Sequence, residues 1–435
     1  MFHFFLHRLS IAIVYSFLYV LSLSLPAIAF ADSISSQEIQ FVNIDNNKNL
    51  PHPTINAIEQ DKQGFIWFAS QDGLSKFDGT QITTYRSQPN NKNSLSNDWI
   101  WDLYSDSEGR LWASSNDGFH LYVPEQNHFI NFSNTENNSN VNGEAYVAIS
   151  EDKQGHIWFV SQFAGLTQFD THTLKLTNIN TNSTFPLNSD DLTDITFDLD
   201  GNMWVATATS GLNYKAVNSE SFEYLTTHSQ HQLPSNEINQ LLIDDINDVW
   251  VATKDVGVFV LRDNKVIKHF SYSQNNNSIC SNSVYDILQA DDGKMWFATL
   301  EGLCSYNLDT GQFSSYTKQT NDINSLINDR VLTLKQDKGG VIWAGTHAGI
   351  SRWNASLNYF THIENKTANN ELLSNSVMAF ASNGKYLYTG AWDGGLNIFE
   401  QINGTYIPVT VSATLSQLNH LSVVSLTFIN EQEVL

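Results

Sequence analysis

Positive charge is scarce in this sequence. Its 435 residues carry 22 Lys and Arg against 45 Asp and Glu, a formal net charge of −23. That excludes the basic patches needed to hold nucleic acid or an anionic membrane surface. Cysteine is limited to Cys280 and Cys304, so one disulfide is the most the chain can form. Gly-rich phosphate loops and the G-x-S-x-G elbow are missing. The 13 histidines include no H-x-x-x-H beside a third ligand, so no metal site is expected. Nothing in the residues present supports catalysis, and no cofactor is expected. Helical periodicity is absent as well. What is present is a hydrophobic fraction of 41%, enough for a large core and too much for a disordered chain.

That hydrophobic content is written as a repeat. Tryptophan returns at Trp67, Trp112, Trp158, Trp204, Trp250, Trp296 and Trp343, at intervals of 45, 46, 46, 46, 46 and 47 residues. Three residues before each stands a glycine, except Asn247, and six before stands an aspartate, except Ala290. Six or seven residues after each comes another glycine followed by an apolar residue, as in Gly73-Leu74 and Gly349-Ile350. A fixed period of this length signals a solenoid, propeller or array.

Each period holds short apolar runs bounded by Gly, Asn and Asp, which read as strands. The first run has apolar residues such as Ile55 and Ile58, the second is typified by Ile66-Trp67-Phe68-Ala69, and the third by Gly302-Leu303-Cys304-Ser305-Tyr306. A fourth has aromatic spacing, as in Phe129…Phe132, Phe313…Tyr316 and Tyr359…Ile363. Four antiparallel strands per period make one propeller blade. The expected fold is therefore all-β, a seven-bladed β-propeller followed by the start of a second. The seven tryptophans are expected to fill the space between blades.

Residues 1–31 read as a secretory signal peptide. Arg8 precedes an apolar stretch from Ile11 to Leu25, and Ala29-Phe30-Ala31 supplies a small-x-small cleavage site. A periplasmic location is expected from it. Residues 39–44 match the fourth-strand pattern ahead of the first full repeat. As an orphan outer strand they would complete the blade of Trp343 and close the ring without an edge. Residues 32–357 are assigned to that ring and 358–435 to the first blades of a second. There Tyr388 takes the Trp place, Gly395-Leu396 the Gly-apolar place, and Val377 and Phe380 the first strand. A ninth set starts at Leu421 and stops at Leu435 in mid-blade, so a fragment or truncated product is expected.

The pattern V-x-x-I-x-x-D-x-x-G-x-I-W-x-[GA]-[TS]-x-x-G-L is seen at Val331, Leu334, Asp337, Gly340, Trp343, Thr346 and Gly349-Ile350. An inter-blade signature, roughly L-x-S-N-x-V, accompanies it at Leu95…Ile100, Ile279…Val284 and Leu372…Val377. Together they resemble the two-component regulator propeller repeat. The resemblance implies a sensor region outside the inner membrane, with a membrane helix and a histidine kinase or GGDEF-type diguanylate cyclase to follow. It implies signal transduction and an inner-membrane anchor for the full-length form, in which a homodimer is expected. The alternative is a secreted propeller enzyme acting on polysaccharide, a lyase or glycosidase, which would need a carboxylate pair or metal on the rim.

Recognition residues concentrate in loops on a rigid scaffold. The inter-blade loops offer Asp98, Trp99, Asp190, Asp191, Asn236, Glu237, Asn282, Asn328 and Arg330. The loops between second and third strands offer Asp72, Asp117, Phe163, Asp255, Glu301 and His347. Such a rim suits a small polar or oligosaccharide ligand, sugars stacking on the rings of Trp99 and Phe163. The repeated Asp of D-x-x-G reads as a turn residue bonding backbone N–H groups. For the cysteines two readings stand: a Cys280–Cys304 bridge, or two unlinked thiols. The first and third strands that follow them would lie about 9–10 Å apart, beyond the Cα separation of about 7 Å that a disulfide tolerates.

Overall fold

The computed structural model describes residues 39–44, 50–133, 145–274, 277–354, 372, 374, 376–402, 405–409, 422–430 and 433–434. The signal-peptide assignment at 1–31 lies outside these residues, as does the fourth-strand assignment at 359–363. Every sheet among the described residues is antiparallel, and they contain no helix. The chain divides into two compact units. One is Ile39–Tyr359, and the other holds the described residues of Phe360–Leu435.

The first unit is a ring of seven four-stranded blades. Blades 1 to 7 open with the strands Ile55–Gln60, Ile100–Ser105, Tyr146–Glu151, Leu192–Phe197, Ile238–Ile243, Val284–Ala290 and Val331–Gln336. These first strands pack side by side around the centre, that of blade 7 against that of blade 1, so they form the inner wall. Blades 1 to 6 complete themselves in sequence order. Blade 7 takes its fourth strand from Val42–Ile44, which pairs antiparallel with Gly349–Asn354. The pairing expected of residues 39–44 is thus present over three of them, and it leaves the ring no open blade. Ile44 also joins Ile55, Ile58 and Phe68 of blade 1 around Trp343, so the closing strand seals the last junction as well.

The first strands carry apolar residues three apart rather than two, as at Ile55 and Ile58 or Ile100 and Leu103. Plain strand alternation would send one of each pair away from the core. Every first strand solves this with a register shift just after its first residue, as between Ile55 and Ala57 or Ile100 and Asp102. The bulge lets both apolar residues face the neighbouring blade and re-aims the residue between them.

All seven tryptophans are buried, 0 to 5% exposed. Each belongs to a cluster shared by two blades, as Trp67, Ala69 and Leu74 of blade 1 do with Leu95, Ile100 and Leu103 of blade 2. The D-x-x-G aspartate holds this column in place. One oxygen of Asp61 accepts the N–H groups of Gln63 and Phe65, two and four residues on. The other accepts the indole Nε1–H of Trp67 at 2.8 Å. The same indole bond recurs at Asp106, Asp152, Asp198, Asp244 and Asp337. In blade 6, where Ala290 replaces the aspartate, the Nε1 of Trp296 is buried without a partner. The aspartate is therefore more than a turn residue.

The glycine opening the third strand has a different cause. Gly257 has φ +91°, and a Cβ there would run into the carbonyl of Phe270 at the end of the fourth strand. Its N–H donates to the carbonyl of Asn282 in the next inter-blade loop.

The second unit repeats the blade once, as Val377–Ser382, Tyr386–Ala391, Gly395–Ile402 and Thr405–Pro408. The strand expected from Leu421 is not formed: residues 422–427 are irregular, and a short ladder joins Phe428–Asn430 to Glu433–Val434. Among the described residues no helix is long and apolar enough to cross a membrane.

Candidate functional site

The inter-blade loops and the loops between second and third strands lie on one face of the ring, tied by backbone bonds. Asn116 N–H donates to Trp99 O, Ala208 to Asp191 O, Lys254 to Glu237 O and His347 to Arg330 O, at 3.0 to 3.3 Å. In blades 2, 4 and 7 a second tie closes the inter-blade loop on the third strand of its own blade. Ser96 meets His120 at 3.4 Å, Asn188 exchanges two bonds with Asn213, and Ile327 N–H donates to Ser351 Oγ at 3.0 Å. In blade 6 the same slot is filled by a disulfide between Cys280 and Cys304, with Cα atoms 6.0 Å apart. The strand spacing that argued against the bridge does not apply, because Cys280 precedes the first strand and its loop leans across.

Several rim residues named from the sequence make bonds that hold the framework. The Asp98 carboxylate accepts the N–H of Ser87, and that of Asp190 the N–H of Thr181. The side-chain carbonyls of Asn236 and Asn282 take the N–H groups of Thr227 and Tyr272. This position, following the Ser or Asn of the inter-blade signature, holds the end of the preceding fourth strand. Asn328 caps Arg330 N–H. Asp72 makes a two-bond pair with Arg86, both about half exposed, a contact worth at most about 1 kcal/mol. Asp255 accepts Ser235 Oγ–H at 2.7 Å.

Phe163 is 62% exposed. The Asp117 turn is capped by Ser115 Oγ. Asp191 is half-buried, and desolvation raises its carboxyl above the ordinary value. Glu237 lies 3.9 Å from Lys254. Glu301 borders a concavity of about 430 Å³ with Tyr272, Phe313 and Cys280. His347 accepts Thr54 Oγ1–H on its carbonyl, linking blade 7 to the loop before blade 1.

The structure adds residues that loop reasoning missed, on the bulged second position of the first strands. Trp101 in blade 2 packs its ring 5.5 Å from that of Trp99, and its Nε1–H donates to Asn116 Oδ1 at 2.7 Å. The Nε1 of Trp99 itself is buried and has no partner. In blade 6 the second position is Tyr285, with the Arg330 guanidinium 5.6 Å from its ring centre. The signal was available: this position reads Asn56, Trp101, Val147, Thr193, Asn239, Tyr285 and Leu332, as varied between copies as the loops. The channel mouth thus combines an indole pair with an amide on blade 2 and a cation over a phenol on blades 6 and 7. Among the described residues no group of three His, Cys, Asp or Glu is placed to hold a metal ion.

Residues 49–72, 94–117 and 278–301 match the model of the two component regulator propeller, so these are repeats of that type. Histidine kinase P4 of Formosa agariphila is 37% identical over 68 residues, which are 15% of this chain and 5% of that protein. Two solved structures from B. thetaiotaomicron share the fold. Both are described as extracellular domains of hybrid two component systems. That of BT3049 is 24% identical with a TM-score of 0.69, covering 91% of this chain and 52% of that one. That of BT4673 is 20% identical with a TM-score of 0.61, covering 91% and 50%. The chain therefore spans about half the length of the solved relatives and a small part of the kinase. It is a propeller like the extracellular domains of those two component systems.

Proposed function

We propose that the ring is the ligand-sensing module of a transmembrane signalling receptor, exported from the cytoplasm, with its ligand seated at the channel mouth on the loop face. The observation that carries this is the Trp99–Trp101 pair. It is a half-buried aromatic surface with one indole N–H satisfied by Asn116 and the other unpaired. A half-buried aromatic face on the loop rim suits a ligand that stacks, and the enclosed Trp99 donor reaches such a ligand only when the indole turns outward. A neutral oligosaccharide stacks and accepts hydrogen bonds, and the rim carboxylates of Asp117, Asp191 and Glu237 disfavour an anion. The matching extracellular regions of hybrid two-component systems support a sensor role. Binding would then act on an output domain of kinase or cyclase type in the full-length receptor.

The test is calorimetry with a panel of neutral, cationic and anionic oligosaccharides, on wild type and on Trp99→Ala. A neutral or cationic binder is expected, weakened at least tenfold by the substitution while the melting temperature holds. Binding that survives both Trp99→Ala and Trp101→Ala unchanged would place the ligand elsewhere.

A further inference from the structure

One fourth-strand position sets blade 6 apart from its neighbours. It is the residue paired with the third strand two positions after that strand's opening glycine: Asn131 in blade 2, Tyr224 in blade 4, Ser315 in blade 6 and Asn43 in blade 7. In blades 2 and 7 the asparagine binds the loop that leads into its own blade. Asn131 Nδ2 donates to the carbonyls of Lys92 and Ser94 at 3.0 and 2.6 Å, and Asn43 Nδ2 to those of Ile323 and Ser325 at 3.1 and 2.9 Å. In blade 4 the Tyr224 hydroxyl does the same, donating to Pro186 O at 2.8 Å. Ser315 is too short for such a reach. Its third-strand partner, Cys304, is taken up by the bridge to Cys280.

In blade 6 this space between loop and strand is a concavity of about 430 Å³. Small-molecule sites run from about 300 to 1,000 Å³. Tyr272, Ile279 and Cys280, on the chain leading into the blade, form one wall. Phe313 and Ser315 of the fourth strand form the other, and Glu301 completes the lining. Among the described residues that line it, Glu301 is the one charged group, and its carboxylate has no ion-pair or hydrogen-bond partner among them. Tyr272 is 51% exposed, and Phe313 is half-buried.

We propose that this concavity is a binding site for a small organic cation, an ammonium or guanidinium group on an apolar or aromatic body. The charged group pairs with Glu301 and lies against the ring of Tyr272 or Phe313, attractions that a neutral molecule of the same shape lacks. An anion is repelled by Glu301 and by the net charge of −23. A bound molecule takes the place of the side chain that blade 6 lacks, between the loop and the fourth strand. The carboxylate is exposed, and ion pairs and cation–π contacts in water are individually weak, so the expected preference over a neutral isostere is about tenfold. This site does not depend on what the channel mouth binds.

The experiment uses three probes of one shape and different charge: benzylammonium, benzyl alcohol and benzoate. Occupancy is read from the backbone amide of Tyr272 in ¹⁵N-tyrosine-labelled protein, with the resonance assigned through Tyr272→Phe. Benzylammonium is expected to shift it saturably, with a dissociation constant about tenfold below that of benzyl alcohol, and benzoate to leave it unmoved. Glu301→Gln should bring benzylammonium to the level of the alcohol. Ser315→Asn supplies the side chain that blades 2, 3 and 7 carry at this place, and should abolish the shift by every probe while the melting temperature holds. Glu301 lies on an exposed turn, so the charge test stands should Ser315→Asn not fold. No saturable shift at Tyr272, equal affinity for the three probes, or a benzylammonium affinity unchanged by Glu301→Gln would overturn the assignment.

Discussion

Blade 6 offers a reciprocal test of the aspartate–tryptophan bond, because it is the copy that lacks it. In Ala290→Asp a carboxylate is placed six residues before Trp296, whose Nε1 is buried without a partner. A hydrogen bond to a charged acceptor contributes about 1.5–3 kcal/mol. Against this stands the repulsion of Asp291 and Asp292, part of which Lys294 offsets from 3.1 Å. The net prediction is a gain of about 1 kcal/mol. The opposite change, Asp244→Ala, removes the acceptor of Trp250 Nε1–H and of the N–H groups of Ile246 and Asp248. Two of those donors, the indole and the Asp248 N–H, are buried, at about 1–3 kcal/mol for each left unsatisfied, so a loss of roughly 3 kcal/mol is expected. Urea unfolding gives both numbers, and the indole proton resonance of Trp296 should move downfield in Ala290→Asp. If Asp244→Ala costs under about 0.5 kcal/mol and Ala290→Asp gains nothing, the aspartate is a turn residue alone and the reasoning fails.

Three further outcomes are expected. Trp204→Ala should lower stability by roughly 3–5 kcal/mol, as large core deletions do, and an unmoved melting temperature with lost binding would reverse its assignment. Ile44→Asp places an unpaired charge in the cluster around Trp343 and should cost roughly 3 kcal/mol or more; equal stability to wild type would show that the N-terminal strand does not close the ring. Cys304→Ser should leave the circular dichroism and ring stability nearly intact while hydrogen exchange at residues 281–283 rises. Global unfolding would mean that the bridge holds the ring rather than the loop.

The sequence by itself determined the repeat and its strand content; it favoured seven blades, but an eight-bladed ring recruiting the copy at Tyr388 stayed open until the pairing of Val42–Ile44 with Gly349–Asn354 was seen. A Trp, a Gly and an Asp at constant offsets are local constraints on one turn and one core slot, and seven copies make them unmistakable. It also pointed to closure by residues 39–44, since an unmatched fourth strand has one vacant place to fill. What it did not reveal is how side chains divide between framework and site. Asp98 looked like a rim carboxylate, and only the fold brings Ser87 N–H to it from the preceding blade. For Cys280 and Cys304 the sequence left a bridge and two unlinked thiols both open, and the lean of the loop in the fold brings their Cα atoms to 6.0 Å. Asp102, Asp194 and Asp286 were not singled out in the sequence, and only ring closure sets each beside the N–H of the next blade's first strand. The physical reason is the same in each case. Periodicity reports contacts within a blade, whereas the inner wall, the clamped loops and the Trp99–Trp101 surface arise between blades or from a bulge that alternation does not encode.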